Sequence, residues 1–329
     1  MPRHYLCVKT SSAFSIDGNV HKPEWDAAPW TEDFVDIEGS AKPLPALRTR
    51  AKLLWDDEYL YIAAELQEPD VWATLTQRDS VIFHDNDFEV FIDPDGDNHE
   101  YYELEINALN TVWDLLLIKP YRDGGPPVTG WDIAGLKSAV QVQGTLNRPG
   151  DVDRGWSVEL ALPWHALAEC AHRRTPPQDG DQWRINFSRV EWDVHVVDGS
   201  YRKIDGRPEH NWVWSPQGAI NMHMPEMWGY LQFCTAPFGA AAFRPDAAVP
   251  ARELLMRIYF AEHAWRTAHG RFTANLADLN IAPTSGPSIR PPIHLEVSEI
   301  GFLASVTVER SPGVTERWHV KDDSRLWKQ

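Results

Sequence analysis

The stretch FHDNDFEVFIDPDGDNHEYYELEINALNTVW, which covers Phe83–Trp113, decides the fold. Polar and apolar residues alternate along both of its arms with the period of two that is typical of β-strands. Between the arms, residues 94–98 read Pro-Asp-Gly-Asp-Asn, a composition that favours a turn. A hairpin closed about residues 96–97 brings Glu89 and Glu105 opposite each other on one polar face. The stretch therefore predicts a β-hairpin with two facing glutamates.

The facing glutamates have two interpretations. Like charges that lie opposite each other destabilise a sheet, so this face needs an arginine, a metal ion or a hydroxyl-rich ligand. The same register puts Asp87 near Asn107, whose amide both donates and accepts hydrogen bonds. Alternatively, Glu89 and Glu105 act as acid and base on a glycosidic bond, since neighbouring strands hold Cβ atoms about 5 Å apart, closer to the retaining than to the inverting separation. The chain contains no GxSxG, HExxH or Gly-rich phosphate loop, so we favour binding over catalysis.

The acidic composition disfavours some classes of binding partner. The 329 residues carry a formal net charge of −17, which disfavours binding to nucleic acid and to anionic membranes. Such a surface suits neutral or cationic partners, calcium included. No apolar run approaches ~18 residues, so no transmembrane helix is expected. The lack of a recognisable signal peptide predicts a cytoplasmic protein, or a periplasmic or secreted one if a leader has been removed.

Composition along the chain predicts two regions. Many short strands broken by turn signals, with little helical periodicity, indicate an antiparallel, jelly-roll-like β-sandwich over residues 1–236. Residues 237–250 are rich in Ala and Pro and predict a linker. Residues 251–329 predict an extension made of one amphipathic helix, 251–269, and a small β-sheet. The helix is expected to pack on the sandwich or to contact a protein partner.

Short motifs spread over residues 16–233 resemble those of the family-nine carbohydrate-binding modules. The motifs are Ile16-Asp17-Gly18 with Trp25, Trp55-Asp56-Asp57 with Leu60-Tyr61, Asp87 through Asp93, Tyr102-Glu103 with Glu105 and Asn107, Gly155 through Glu159, Pro163-Trp164, Arg184 with Asn186-Phe187 and Arg189, Trp214-Ser215-Pro216, and Gly229. The resemblance implies a β-sandwich that binds the end of a sugar chain between two facing tryptophans. It also implies structural calcium, and attachment to secreted glycanases is usual in that family.

The resemblance and the hairpin together give a candidate site. Trp72 matches the first sugar-stacking tryptophan, and either Trp212 or Trp214 matches the second. Our hypothesis is that these indoles enclose a sugar above a polar floor. The floor residues would be Glu89, Glu105 and Asn107, with Arg78 and Arg189 pairing bidentately to the glutamates.

Calcium has two candidate locations. Asp93, Asp95 and Asp97 offer oxygen ligands at alternating positions, as calcium prefers, although the loop does not fit an EF-hand. The family resemblance also allows calcium near Asp17 or near Asp56 and Asp57.

Overall fold

The computed structural model describes residues 2–11, 14–281 and 288–329. They divide into two compact units. The first unit comprises Met1–Asp95, Glu100–Ile118 and Pro126–Phe243, and the second comprises Gly96–His99, Lys119–Gly125 and Arg244–Gln329. Two short segments of the β-rich part of the chain thus belong with its C-terminal residues.

The first unit is built on strands. They are β1 (His4–Lys9), β2 (Val35–Asp36), β3 (Thr49–Trp55), β4 (Tyr59–Gln67), β5 (Asp87–Asp93), β6 (Tyr101–Asn107), β7 (Val112–Leu117), β8 (Pro127–Val128), β9 (Lys137–Gln143), β10 (Gly155–Pro163), β11 (Gln182–Glu191), β12 (Val194–Val197), β13 (Ser200–Lys203), β14 (His210–Val213) and β15 (Gly229–Cys234). A short helix, α1 (Trp164–Leu167), follows β10, and single 3-10 turns lie at Pro23–Trp25, Gly39–Ala41, Ile82–His84 and Pro225–Met227. One further 3-10 turn, Tyr121–Asp123, belongs to the second unit.

One continuous sheet curls around the main core. Its order is β8-β7-β6-β5-β11-β15-β1-β3-β4-β10-β9, with β14 pairing β11 and β2. Most neighbours are antiparallel, and β1 runs parallel to both β15 and β3. Apolar side chains from the β5–β6–β11 half and from the β3–β4–β10 half meet in one cluster. The β-sandwich prediction is therefore confirmed.

The predicted hairpin forms with the predicted register. β5 and β6 pair antiparallel, with Glu89 opposite Glu105 and Asp87 opposite Asn107. Phe88, Val90 and Ile92 enter the main core. The opposite face, which we call the outer face, carries the glutamates. A second apolar cluster around Phe91 and Trp228 covers part of that face.

The second unit pairs one helix with a small sheet. Helix α2 (Val249–His269) ends at Gly270, whose φ of 75° is the left-handed conformation that glycine adopts readily. The antiparallel strands are β16 (Ile289–Val297), β17 (Phe302–Ser311), β18 (Val314–Lys321) and β19 (Leu326–Lys328). The apolar stripe of α2 packs on β17 and β18. The stripe is thus covered within its own unit, and a protein contact through this helix stays a prediction.

Among the described helices, none combines the length and the hydropathy that a membrane span requires.

Candidate functional site: an acidic patch on the outer face

Four carboxyl groups lie together on the outer face of β5 and β6. Asp87, Glu89, Glu103 and Glu105, which we call the acidic patch, are 0%, 5%, 5% and 2% exposed. One carboxylate oxygen from each of Asp87, Glu89 and Glu105 lies within 4.8 Å of the others. The hairpin register creates this arrangement, because it aligns the polar positions of two strands.

The patch has few hydrogen-bond donors. The backbone N–H of Phe83 donates to Glu105 Oε2 at 2.9 Å, and that of Val190 donates to Asp87 Oδ1 at 3.1 Å. Asp87 Oδ2 is buried without a partner. Ser188, fully buried and directly opposite Glu89 on β11, approaches that carboxyl without a hydrogen bond of normal geometry. Among the described residues, no lysine or arginine forms an ion pair with the patch.

Burial therefore acts on these acids with only partial compensation from the few donors. It raises the pKa of Glu89 to about 7. It raises the pKa values of Asp87, Glu103 and Glu105 well above their usual range, and the neighbouring Glu89 charge raises them further. Desolvation and like charges both disfavour the ionised form. At neutral pH the patch therefore retains protons that ordinary surface carboxylates would have lost.

Aromatic residues border the patch. Trp113 lies opposite Glu105 on β7 and hence on the same face; its indole is half-buried, and its Nε1 has no partner. Trp192 follows β11 and donates from its Nε1 to the Phe83 carbonyl at 2.8 Å. The Lys203 ammonium lies 3.5 Å from the centre of a Trp192 ring. These groups supply apolar surface and an unused indole donor beside the carboxyls.

Arg189 does not reach the patch. The alternation along β11 puts Ser188 on the outer face and Arg189 on the inner one. The guanidinium is fully buried and donates to Glu68 at 2.8 Å and to Glu191 at 2.7 Å. It also bonds the Gln67 carbonyl. The expected pairing with Glu89 and Glu105 is therefore replaced by a structural network between β4 and β11.

Arg78 is also engaged elsewhere. It pairs with the buried Asp114 and, at 2.7 Å, with the exposed Asp132. This ion pair ties the loop before β5 to the segment after β8. Like Arg189, Arg78 is not part of the floor under the glutamates.

Asn107 uses its amide to fix loops. Its Nδ2 donates to the Leu75 carbonyl at 2.9 Å and to Asp85 at 3.0 Å. Its Oδ1 accepts from the N–H groups of Leu109 and Thr111. Asn107 therefore shapes the edge of the patch and has little capacity left for a ligand.

The three predicted sugar-stacking indoles are buried. Trp212 pairs with Arg189 on β14 and β11, so it faces the inside, away from Glu89. Trp214 is fully buried in the main core, where a Cβ on Gly229 would lie 2.3 Å from its ring. Trp72 is 5% exposed, and its Nε1 has no hydrogen-bond partner. The expected arrangement of exposed tryptophans above the glutamates is thus corrected, because the sheet lies between Glu89 and the pair Trp212 and Trp214.

The candidate calcium carboxylates have other partners. Asp97 accepts from the His99 N–H at 2.7 Å and from Arg325 at 3.0 Å. Asp17 pairs with Lys22 at 3.0 Å, and Asp57 pairs with Lys9. A carboxylate already neutralised by a cation is a poor ligand for a hard metal ion.

Asp56 is engaged as well. It accepts from the Tyr61 hydroxyl at 2.7 Å and from the N–H groups of Glu58 and Tyr59. Asp17, Asp56 and Asp57 therefore already have partners within the chain, and calcium at Asp93, Asp95 and Asp97 stays a prediction.

Several residues of the patch region were not assigned to a site from the sequence. These are Phe83, Glu103, Trp113, Ser188 and Trp192. Glu103 has a signal in the opening stretch, since it follows the alternation that places Glu105 on the outer face, whereas the face of Trp113 depends on how β7 pairs with β6. Ser188 and Trp192 have no local signal, because their position depends on how β11 pairs with β5.

Comparisons with known proteins agree with this fold. Residues 16–229 match the family described as carbohydrate family 9 binding domain-like. Over 117 residues the chain is 28% identical to the exoglucanase XynX of Acetivibrio thermocellus. This match covers 36% of this chain and only 9% of that protein.

Similar solved structures have low sequence identity to this chain. A putative carbohydrate-binding protein from Bacteroides uniformis has a TM-score of 0.52 at 16% identity, with 71% of this chain and all (100%) of that chain covered. A family 9 module from Caldicellulosiruptor kristjanssonii in complex with cellotriose has a TM-score of 0.47 at 15% identity, with 74% and 100% covered. The first of these supports the fold alone. Because the family match spans residues 16–229, well over half of the chain, the protein belongs to the carbohydrate family 9 binding domain-like family.

Proposed function

We propose that the first unit is a non-catalytic carbohydrate-binding module that holds a mono- or oligosaccharide end against the acidic patch. The observation that carries the proposal is the group of under-bonded carboxyls beside a half-buried indole, in a chain of this family. Carboxyl oxygens accept hydrogen bonds from sugar hydroxyls, and protonated carboxyls also donate. Trp113 Nε1 adds a donor, and aromatic faces pack against the C–H surface of a sugar ring.

The proposed contacts differ from those expected from the sequence. Glu89 and Glu105 remain ligand contacts, and Glu103, Trp113 and Phe83 join them. Glu89 and Glu103 keep the most exposure in the patch, so a ligand reaches them first. Six residues take framework roles instead. They are Trp72, Arg78, Asn107, Arg189, Trp212 and Trp214.

The catalytic alternative is less well supported. A retaining glycosidase needs one ionised carboxylate as nucleophile and one protonated acid, so its two pKa values are pushed apart. Here burial raises the pKa of Glu89 to about 7 and raises the pKa of Glu105 well above its usual range. Both acids shift in the same direction. This pattern favours a binding role, and release of new reducing ends from a bound glycan would contradict it.

A glycan array followed by calorimetry tests the proposal. Glu89→Gln and Glu105→Gln keep size and remove the acid, and a lost neutral hydrogen bond costs about 0.5–1.5 kcal/mol. We expect each to weaken binding of any array hit by up to about tenfold. Glu65→Gln is the matched control, because Glu65 pairs with Arg50 in the other half of the sandwich. Wild-type affinity in both patch variants would remove the patch from the site.

A further inference from the structure

We infer that the acidic patch selects a sugar that carries a free, protonated amino group, such as a glucosamine unit. The inference rests on the proposed function and adds the chemical class of the ligand. Its starting point is a mismatch of charge: four carboxyl groups share one face, and among the described residues no basic side chain pairs with them. A buried acid without a counter-ion is costly unless it stays protonated or acquires a cation.

The geometry of the patch suits an ammonium group. An ammonium ion has three donors and no acceptor. Charged N–H···O bonds of roughly 2.8 Å, set at tetrahedral angles, place three acceptor oxygens roughly 4.6 Å apart. One oxygen from each of Asp87, Glu89 and Glu105 lies within 4.8 Å of the others, and this limit accommodates that spacing. Asp87 Oδ2 is a buried acceptor still without a donor.

A second observation extends the site beyond the acids. Ser188 Oγ lies fully buried beside Glu89 without a normal hydrogen bond, and it can accept from or donate to a ligand. Trp113 Nε1, opposite Glu105 in the sheet, is a donor that also has no partner. An amino sugar offers an ammonium for the carboxylates and neighbouring hydroxyls for these two groups. A neutral sugar supplies the hydroxyls but leaves the acid cluster uncompensated.

The border of the patch favours an organic cation over a metal ion. An indole N–H cannot coordinate a metal, since it is only a donor. Aromatic rings attract organic ammonium ions through their π-faces. The residues at the border are Phe83, Trp113 and Trp192. A divalent ion bound by the three carboxylates alone would leave the Trp113 indole N–H without a partner.

The inference predicts a pH dependence. A bound ammonium requires ionised carboxylates, so affinity should rise as pH increases from 5 to 7, where Glu89, whose pKa is about 7, begins to lose its proton. The sugar amine stays mostly protonated over this range, since such amines have pKa values near 8. The charged groups around Glu89 are Asp87 on its own strand, Asp85 before it, Glu103 and Glu105 on β6, and Glu209 before β14. The nearby cation is Lys203 over Trp192, which interacts with Asp85 and Glu209 and forms no ion pair with the patch.

Calorimetry at 150 mM salt tests the inference with the full chain. The probes are glucosamine, glucose, N-acetylglucosamine and calcium chloride, each alone, and then short oligomers of the three sugars. We expect the amine forms to bind at least about tenfold more tightly than the acetylated and neutral forms of equal length. Glu89→Gln and Glu105→Gln should abolish that preference, and Glu65→Gln should preserve it. The salt and this control separate site binding from general attraction to a chain of charge −17.

The remaining outcomes are distinct. If neutral sugars bind as well as amines and the patch variants weaken both, the inference fails and the proposed function stands. If calcium alone binds and Glu89→Gln abolishes it, the patch is a metal site and the inference is overturned. If no sugar binds, the proposed function fails with it. Circular dichroism and urea unfolding of each variant exclude loss of folding as the cause.

Discussion

Buried acids in this fold have two opposite kinds of surroundings. Glu159 on β10 is completely buried and receives the Lys22 ammonium at 2.7 Å and the Trp25 indole N–H at 2.6 Å. The backbone N–H groups of Asp17 and Gly18 also donate to it, at 2.9 Å and 2.8 Å. The acidic patch on β5 and β6 has four carboxyls, and the described part of the chain supplies it with two backbone donors.

The contrast distinguishes a structural acid from acids that we propose bind a ligand. At Glu159 the chain supplies a counter-ion and enough donors for both carboxylate oxygens, so nothing is left for a ligand. In the patch the chain supplies neither, although Arg189 lies on the strand next to Glu89 and could have done so with the opposite alternation. Unsatisfied buried groups of this kind cluster where proteins bind ligands or perform chemistry.

The largest expected effect on stability comes from removing the counter-ion of Glu159. Lys22→Met removes the counter-ion and leaves Glu159 charged and buried, which costs about 3–5 kcal/mol. Urea unfolding at pH 7 should show a loss of this size in the free energy of unfolding. Asp26→Asn, at an exposed acid nearby, should change it by less than about 0.5 kcal/mol.

A double variant sharpens this result. Lys22→Met with Glu159→Gln replaces the ion pair by neutral groups, so part of the lost stability should return. If the double variant were no more stable than Lys22→Met, the loss would come from packing of the lysine chain and not from the unpaired acid.

The next effect is a stability that falls as pH rises. The folded-state pKa of Glu89 is about 7, against a usual value of 4.5. The folded protein therefore binds more protons than the unfolded chain between these values, and stability is lost as pH increases through this window. The loss attributable to Glu89 should be on the order of 2 kcal/mol between pH 5 and 8. Urea unfolding at pH 5, 6, 7 and 8 measures it, and Glu89→Gln should flatten the slope.

Glu65 provides the opposite case. Burial acts to raise its pKa, but Arg50 and His21 together outweigh burial, so the pKa of Glu65 lies below its usual value. Its contribution is present at neutral pH and lost as pH falls. Glu65→Gln should therefore leave the decline from pH 5 to 8 in place. A wild-type stability that rises over this range would mean that the patch acids are ionised and compensated.

Local sequence was sufficient for the hairpin. The period of two in β5 and β6 and the turn residues between them set the pairing of Glu89 with Glu105, because the two strands are adjacent in the chain. For the same reason the alternation along β6 is enough to place Glu103 on the outer face with Glu105. Local sequence also predicts the helix 251–269, since its apolar stripe has the helical period. The helix forms as Val249–His269.

The orientation of distant strands was not available from local sequence. Trp212 and Trp214 were known to share a face, but which face depends on how β14 pairs with β11 about 25 residues earlier. A shift of one residue exchanges the two faces of a strand. The same shift decides whether Ser188 or Arg189 lies beside Glu89. The partners of Arg78 and Arg189 are likewise long-range contacts, which local sequence does not predict.

A smaller effect on binding should follow Trp113→Phe. Phenylalanine keeps an aromatic ring beside Glu105 and removes only the indole N–H. If Trp113 Nε1 donates to the ligand, affinity for an array hit should fall about threefold to tenfold, the amount expected for one neutral hydrogen bond. Stability should not fall through a lost hydrogen bond, because Nε1 has no partner in the protein. Trp192→Phe is the comparison, since its Nε1 bonds the Phe83 carbonyl and its loss should lower stability as well.

The smallest expected effect is that of calcium on stability, and it extends the comparison to a third group of acids. Asp17, Asp56, Asp57 and Asp97 each bond a cation or several donors of the chain, as Glu159 does. A ligand that binds only the folded state raises stability with its concentration, so any calcium site at Asp93, Asp95 and Asp97 should reveal itself in thermal unfolding. We expect the Tm in 5 mM calcium and in 5 mM EDTA to agree within about 1 °C. A rise of several degrees that Asp93→Asn abolishes would show that calcium binds at this group despite the Arg325 contact to Asp97. If Glu89→Gln abolished the same rise, calcium would bind in the acidic patch. The ligand of the unpaired acids would then be a metal ion instead of a sugar.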